Sequence, residues 1–109
     1  MDIEALREYA LQLPDTEESL PFGPNALVFK VKGKMFLLIA LDAEPLSFNA
    51  KCNPEEAVEL REHYPQSVLP GYHTNKKHWN TVVIDGVLST QQIFQFIKNS
   101  YHLVAGKKK

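Results

Sequence analysis

Cysteine, glycine, long apolar runs and an excess of either charge are all scarce in this sequence, and each scarcity excludes something. Cys52 is the only cysteine, so no internal disulfide can form and no multi-cysteine zinc site can be built; a reducing, cytoplasmic setting fits best. The five glycines are scattered, which leaves no glycine-rich loop to cradle a phosphate. No apolar stretch approaches the roughly 18 residues of a membrane span. The opening Met-Asp-Ile-Glu-Ala-Leu-Arg-Glu lacks the basic, then apolar, then small-residue order of a signal peptide, so the chain reads as soluble and unprocessed. Twelve Lys and Arg stand against 13 Asp and Glu, a net charge of −1. With a pI near 6.4 there is no global pull toward nucleic acid or membrane, and a polyanion partner would need a local basic surface.

What is present describes one folded domain. At 109 residues, 44% hydrophobic and 23% charged, the chain has the composition of an ordinary globular protein and nothing that divides it. We read residues 1–106 as a single domain and Lys107-Lys108-Lys109 as a basic C-terminal tail. Asp2 caps a first helix whose Ile3, Leu6, Ala10 and Leu13 recur at spacings of three and four, and Pro14 stops it. Residues 15–20 are ambiguous between loop and short strand, and Pro21-Phe22-Gly23-Pro24 is a turn by composition. From Leu27 the period becomes two: Leu27, Phe29 and Val31, then a Lys32-Gly33-Lys34 turn, then Met35 to Leu41, a β-hairpin with lysines at its tip. In a third strand Leu46, Phe48, Ala50 and Cys52 alternate with Ser47, Asn49 and Lys51, which sends Cys52 toward the core. Asn53-Pro54-Glu55-Glu56 starts a second helix, Trp79 to Ile84 is a strand ending at Asp85-Gly86, and the Ser89-Thr90-Gln91-Gln92 capping box opens the longest helix. The order predicts an α+β fold, an antiparallel sheet with the helices packed on one face and the other face free for solvent or a partner.

The densest collection of polar donors is Pro70-Gly-Tyr-His-Thr-Asn-Lys-Lys-His-Trp-Asn-Thr-Val82. Lysines there can meet phosphates, amides can meet bases or phosphates, and the Trp79 ring can stack. The plainer alternative is structural, with Trp79 packed under the loop, Asn75 and Asn80 bonding loop backbone, and the lysines solvated. Lys30, Lys32 and Lys34 on the hairpin and Lys51 on the neighbouring strand would join Lys76 and Lys77 in one basic patch if a single sheet face receives them all; otherwise they are edge lysines that oppose aggregation. His73 and His78, with His63 or Cys52, match no zinc spacing, so no metal or other cofactor is expected. Catalysis would need Cys52 to meet His73 or His78, and nothing in the sequence requires that; the chain reads as non-enzymatic.

Leu13-Pro14, Pro21-Phe22-Gly23, Val28-Phe29-Lys30-Val31, Gly33-Lys34-Met35-Phe36, Lys51-Cys52-Asn53-Pro54, Pro70-Gly71-Tyr72-His73, Asn75-Lys76-Lys77-His78-Trp79-Asn80-Thr81-Val82 and Asp85-Gly86 together resemble the MmcQ/YjbR family over nearly the whole chain. The resemblance implies a CyaY-like α+β fold and a DNA-binding role of the double-wing type. It does not extend to iron, because the first helix carries Asp2, Glu4 and Glu8 but no dense acidic ridge. The expected interface comprises Lys30, Lys32, Lys51, Lys76 and Lys77 for phosphates, with His73, Asn75, His78 and Trp79 shaping the surface, and weak, largely sequence-independent binding of DNA. The alternative is a binding module in which loop 72–80 takes a small anion or a protein partner.

Overall fold

The computed structural model describes residues 1–71 and 75–106. Its elements follow in the order α1 (Ile3–Gln12), β1 (Thr16–Ser19), β2 (Ala26–Val31), β3 (Lys34–Ala40), β4 (Ser47–Lys51), α2 (Pro54–His63), β5 (Val68–Pro70), β6 (Trp79–Val83) and α3 (Thr90–Ala105). The strands form one antiparallel six-stranded sheet in the order β1-β2-β3-β4-β6-β5, with three helices packed on it, as the α+β reading expected.

Each helix begins where a side chain satisfies its orphan amides. Asp2 accepts from the Ala5 amide, Asn53 from the Glu55 amide ahead of Pro54, and Ser89 and Gln92 form a reciprocal capping box. The two-residue turn Lys32-Gly33 has positive φ at both positions, 54° and 77°, the geometry that matches the twist of a tight hairpin. β1 has no apolar pattern of its own. It is held as a strand by pairing with β2 and by a 2.6 Å ion pair from Arg7 of α1 to Glu18.

Period-two alternation sorts the sheet into two faces. Phe29, Val31, Leu37, Ile39, Phe48, Ala50, Val68 and Val82 point toward the helices and join Leu6, Ala10, Ile93, Ile97 and Tyr101 in one core. Tyr9 stacks on Phe94 at 4.2 Å, and Tyr101 meets Phe36 edge-on and donates to the Pro14 carbonyl, so α1 and α3 are locked together above the sheet. The opposite face carries Val28, Leu38, Asn49 and Thr81 across its middle.

One irregularity governs the sheet. Between Phe29 and Lys30 the β2–β3 register shifts, so Phe36 is an extra residue and both Phe36 and Leu37 turn inward. The β3–β4 ladder ends at Leu37 and Ala50, one step short of Phe36 and Lys51. There the fully buried Ser100 of α3 steps in: its hydroxyl accepts from the Lys51 amide at 2.8 Å and donates to the Phe36 carbonyl at 2.5 Å. Ser100→Ala leaves both backbone groups unpaired in the interior, and we expect it to destabilise the protein by about 1–3 kcal/mol in urea unfolding, with the m-value unchanged.

Candidate functional site

The tight turn, the end of β4 and the start of β6 lie at one end of the sheet. On the helix-free face of that end the register places Glu17, Lys30 and Met35 in one row across β1, β2 and β3, and Lys51 directly opposite Trp79 across β4 and β6. Lys30, Lys51 and Trp79 are each half-buried there, their heads able to reach water from an apolar base. No ion pair joins Glu17 to Lys30 among the described residues. The exposed Lys34 and Lys77 stand at the same end, while Asp42, Glu44 and Asp85 occupy turns at the other.

The expected basic residues do not all share this face. Lys32 leaves the turn toward the helices, where its ammonium caps α3 by donating to the Ala105 carbonyl at 2.8 Å. The Lys76 ammonium donates to the Gly71 carbonyl at 3.0 Å and so ties its own loop. Asn75 makes a turn, accepting from the Lys77 amide at 2.9 Å. The His78 backbone extends the pairing of β6, its carbonyl accepting from the Cys52 amide at 2.7 Å, and its ring is half-buried. His73 lies outside the described residues, as does Tyr72 beside it.

Asn80, which the sequence offered as a contact for bases or phosphates or as an amide bonding loop backbone, and Arg61, which carried no chemistry there, hold this end together. Asn80, 3% exposed, points to the helix side and accepts from Arg61 Nε at 2.8 Å, while its amide nitrogen approaches the Ala57 carbonyl at 3.4 Å. Arg61 also donates to the Lys76 carbonyl, so a single guanidinium links α2, β6 and the loop before it. Arginine on a helix before a polar loop has no signature that separates it from a solvated charge, which is why the sequence did not reveal it.

On the helix side a cleft separates α2 from α3. Its floor, a cavity of about 190 Å³, is lined by apolar side chains such as Leu60, Val82 and Phe96, and by Cys52 with Glu56 and Glu59. Residues 75–79 line neither this cleft nor the concavity on the other sheet face, so the described part of the loop forms no wall of an anion pocket in either. Cys52 faces the helix side, as the alternation predicted. Burial, reinforced by the nearby Glu56 charge, pushes its thiol up to about 11. It is therefore held as a neutral thiol rather than as an activated nucleophile. Among the described residues no three His, Cys, Asp or Glu side chains gather to hold a metal, and no helix is long and apolar enough to cross a membrane. Alkylation of Cys52 by iodoacetamide should rise about tenfold per pH unit from pH 8 to beyond 10 in the folded protein. A plateau near pH 9 would show an ordinary, exposed thiol.

An antiparallel sheet with helices on one face, and a motif-bearing loop clamped to its end, define a small α+β domain. The YjbR family model matches residues 11–103, and the chain belongs to that family. It is 39% identical over 102 residues to a protein of Escherichia coli O157:H7 named "Uncharacterized protein YbdF", covering 93% of this chain and 82% of that one. It is 33% identical over 101 residues to "Uncharacterized protein YjbR" of the same organism, covering 93% and 85%. Among solved structures, the crystal structure of a Deinococcus radiodurans protein with a DUF419 domain superposes with a TM-score of 0.91 at 40% identity, over 96% of this chain and 79% of that chain. A Pseudomonas syringae protein gives a TM-score of 0.78 at 26% identity over 95% and 99%.

Proposed function

We propose that this protein is a non-enzymatic DNA-binding domain that holds the phosphate backbone at the lysine-bearing end of its helix-free sheet face. The observation that carries this reading is the placement of Lys30 and Lys51 on that face, with Trp79 directly opposite Lys51 and with Lys34 and Lys77 exposed at the same end. Lys30 and Lys51 sit two strands apart, so their Cα atoms are separated by roughly 10 Å, a spacing that lets two ammonium groups meet different phosphates. A chain of net charge −1 concentrates cations here because Asp42, Glu44 and Asp85 lie at the far end of the strands and four glutamates lie on α2.

The contact set is narrower than the sequence suggested. Lys30, Lys51 and Lys77 are the phosphate contacts, Trp79 supplies a ring beside them, and Asn75 and His78 shape the adjoining loop, while Lys34 pairs with Val31 and so points to the helix side of the turn. Lys32 and Lys76 act through the scaffold, because their ammonium groups already meet main-chain carbonyls. Phosphate contacts of this type carry no base information, so binding is weak and independent of sequence. The free Cys52 fits a reducing compartment in which such a partner is found.

Fluorescence anisotropy with labelled DNA at low and near-physiological salt tests this. We expect saturable binding that weakens with salt, and in Lys30→Glu/Lys51→Glu a loss of affinity together with a salt slope reduced by about 1.8 for duplex, from about 0.9 per phosphate contact. Lys98→Glu, an exposed lysine on α3, should bind like the wild type. Equal affinity in the wild type and the double variant would remove this surface from the reading.

A further inference from the structure

Beyond the lysines, the helix-free face is hollowed rather than flat. A concavity of about 660 Å³ lies over its central strands, with Met35 and Leu38 in the floor, Asn49 and Thr81 to one side, and Phe22 and Asp42 on the rim. Phe22 comes from the turn between β1 and β2 and is 70% exposed, a large aromatic ring left standing in solvent at the edge of an apolar hollow. Asn49 is the reverse, a polar side chain only 5% exposed. Its Oδ1 accepts from the Thr81 hydroxyl, while Nδ2 is offered no acceptor among the described residues. An amide whose oxygen is engaged by Thr81 and whose nitrogen is open to solvent in the wall of a cavity can donate to a ligand that enters it.

The position of this hollow relative to the lysines limits what fills it. Asn49 and Lys51 are on the same face of β4, two residues apart, or about 6.7 Å along the strand. That is the reach of one nucleotide from its phosphate to its base. Met35 belongs both to the row of Lys30 and to the cavity floor, so the hollow begins where the basic row ends. Asp42 at the far rim repels a second phosphate and favours a ligand that places its anionic part at the lysine end only.

We propose that this concavity receives a single unpaired nucleobase, so that the DNA bound on this face is single-stranded. The base enters over Leu38 and Met35, lies against the Phe22 ring and accepts a hydrogen bond from Asn49 Nδ2, while the phosphates flanking it lie on Lys30 and Lys51. A base within a duplex is stacked on both sides and paired along its edge, and cannot enter such a hollow without being extruded. This inference rests on the DNA-binding reading above and adds the strand form and the base site to it.

The test compares three labelled oligonucleotides on the full chain by anisotropy: a single strand, an abasic single strand of the same length, and the duplex. We expect the single strand to bind about tenfold or more tightly than the abasic strand, which keeps the phosphates but has nothing to stack. Phe22→Ala, at an exposed position, should bring the single strand toward the abasic affinity without changing the abasic affinity itself. In a two-dimensional NMR titration thymidine, a nucleoside without phosphate, should shift the Asn49 side-chain amide and the Leu38 backbone amide. Equal binding of single and abasic strands overturns the base site and leaves the phosphate contacts standing. Absence of salt-dependent binding by any of the three oligonucleotides overturns both.

Discussion

The arrangement of both sheet faces depends on one buried hydroxyl. The extra residue at Phe36 turns two consecutive large side chains toward the helices, which places Phe36 under the edge of Tyr101 and Leu37 in the core. The same bulge opens the ladder between β3 and β4 and would orphan a carbonyl and an amide in the protein interior. Ser100 closes that gap from α3, and in doing so ties the longest helix to the strand end that carries Lys51. An apolar residue at position 100 could pack there but could not pair either group. Core packing on one face and cation placement on the other are thus coupled through a side chain that belongs to neither.

A second consequence is the polarity of the sheet along its strands. Antiparallel pairing brings the end of β2, the start of β3, the end of β4 and the start of β6 together, and these are the positions where lysines occur. The turns at the opposite end hold Asp42, Glu44 and Asp85. A net charge near zero therefore conceals a separation of charge, and what a partner senses at the surface is the local field rather than the total. The neutral hollow between the two ends gives that field a direction.

Local signals were the legible part of the sequence. Caps, helix periods and the Lys32-Gly33 turn depend on residues within a few positions of one another, and the elements they announce are present. β1 was left open between loop and short strand and β5 was not announced, because Thr16–Ser19 has no apolar alternation and Val68–Pro70 is three residues long; each is a strand through the neighbour it pairs with. The fates of Lys32 and Lys76 were equally hidden. Ala105, which takes the Lys32 ammonium, is 73 residues away in sequence, and no pattern in a hairpin tip encodes that partner. Phe22 read only as part of a turn, since its exposure beside a hollow depends on strands β3, β4 and β6.

The segment that made the family recognisable is, residue by residue, mostly scaffold. Asn75 forms a turn, Lys76 ties the loop to Gly71, and Asn80 clamps β6 to α2 through Arg61. Only Lys77 and Trp79 are left to face outward at the lysine-bearing end, and a motif so occupied with its own geometry specifies a fold more firmly than a ligand. What the motif does for function is to fix the start of β6, which sets Trp79 against Lys51 and Thr81 against Asn49. Chemistry on this domain is therefore best sought on the face that the motif holds in register, where the Asn49 amide beside Thr81 and the exposed Phe22 ring border one hollow.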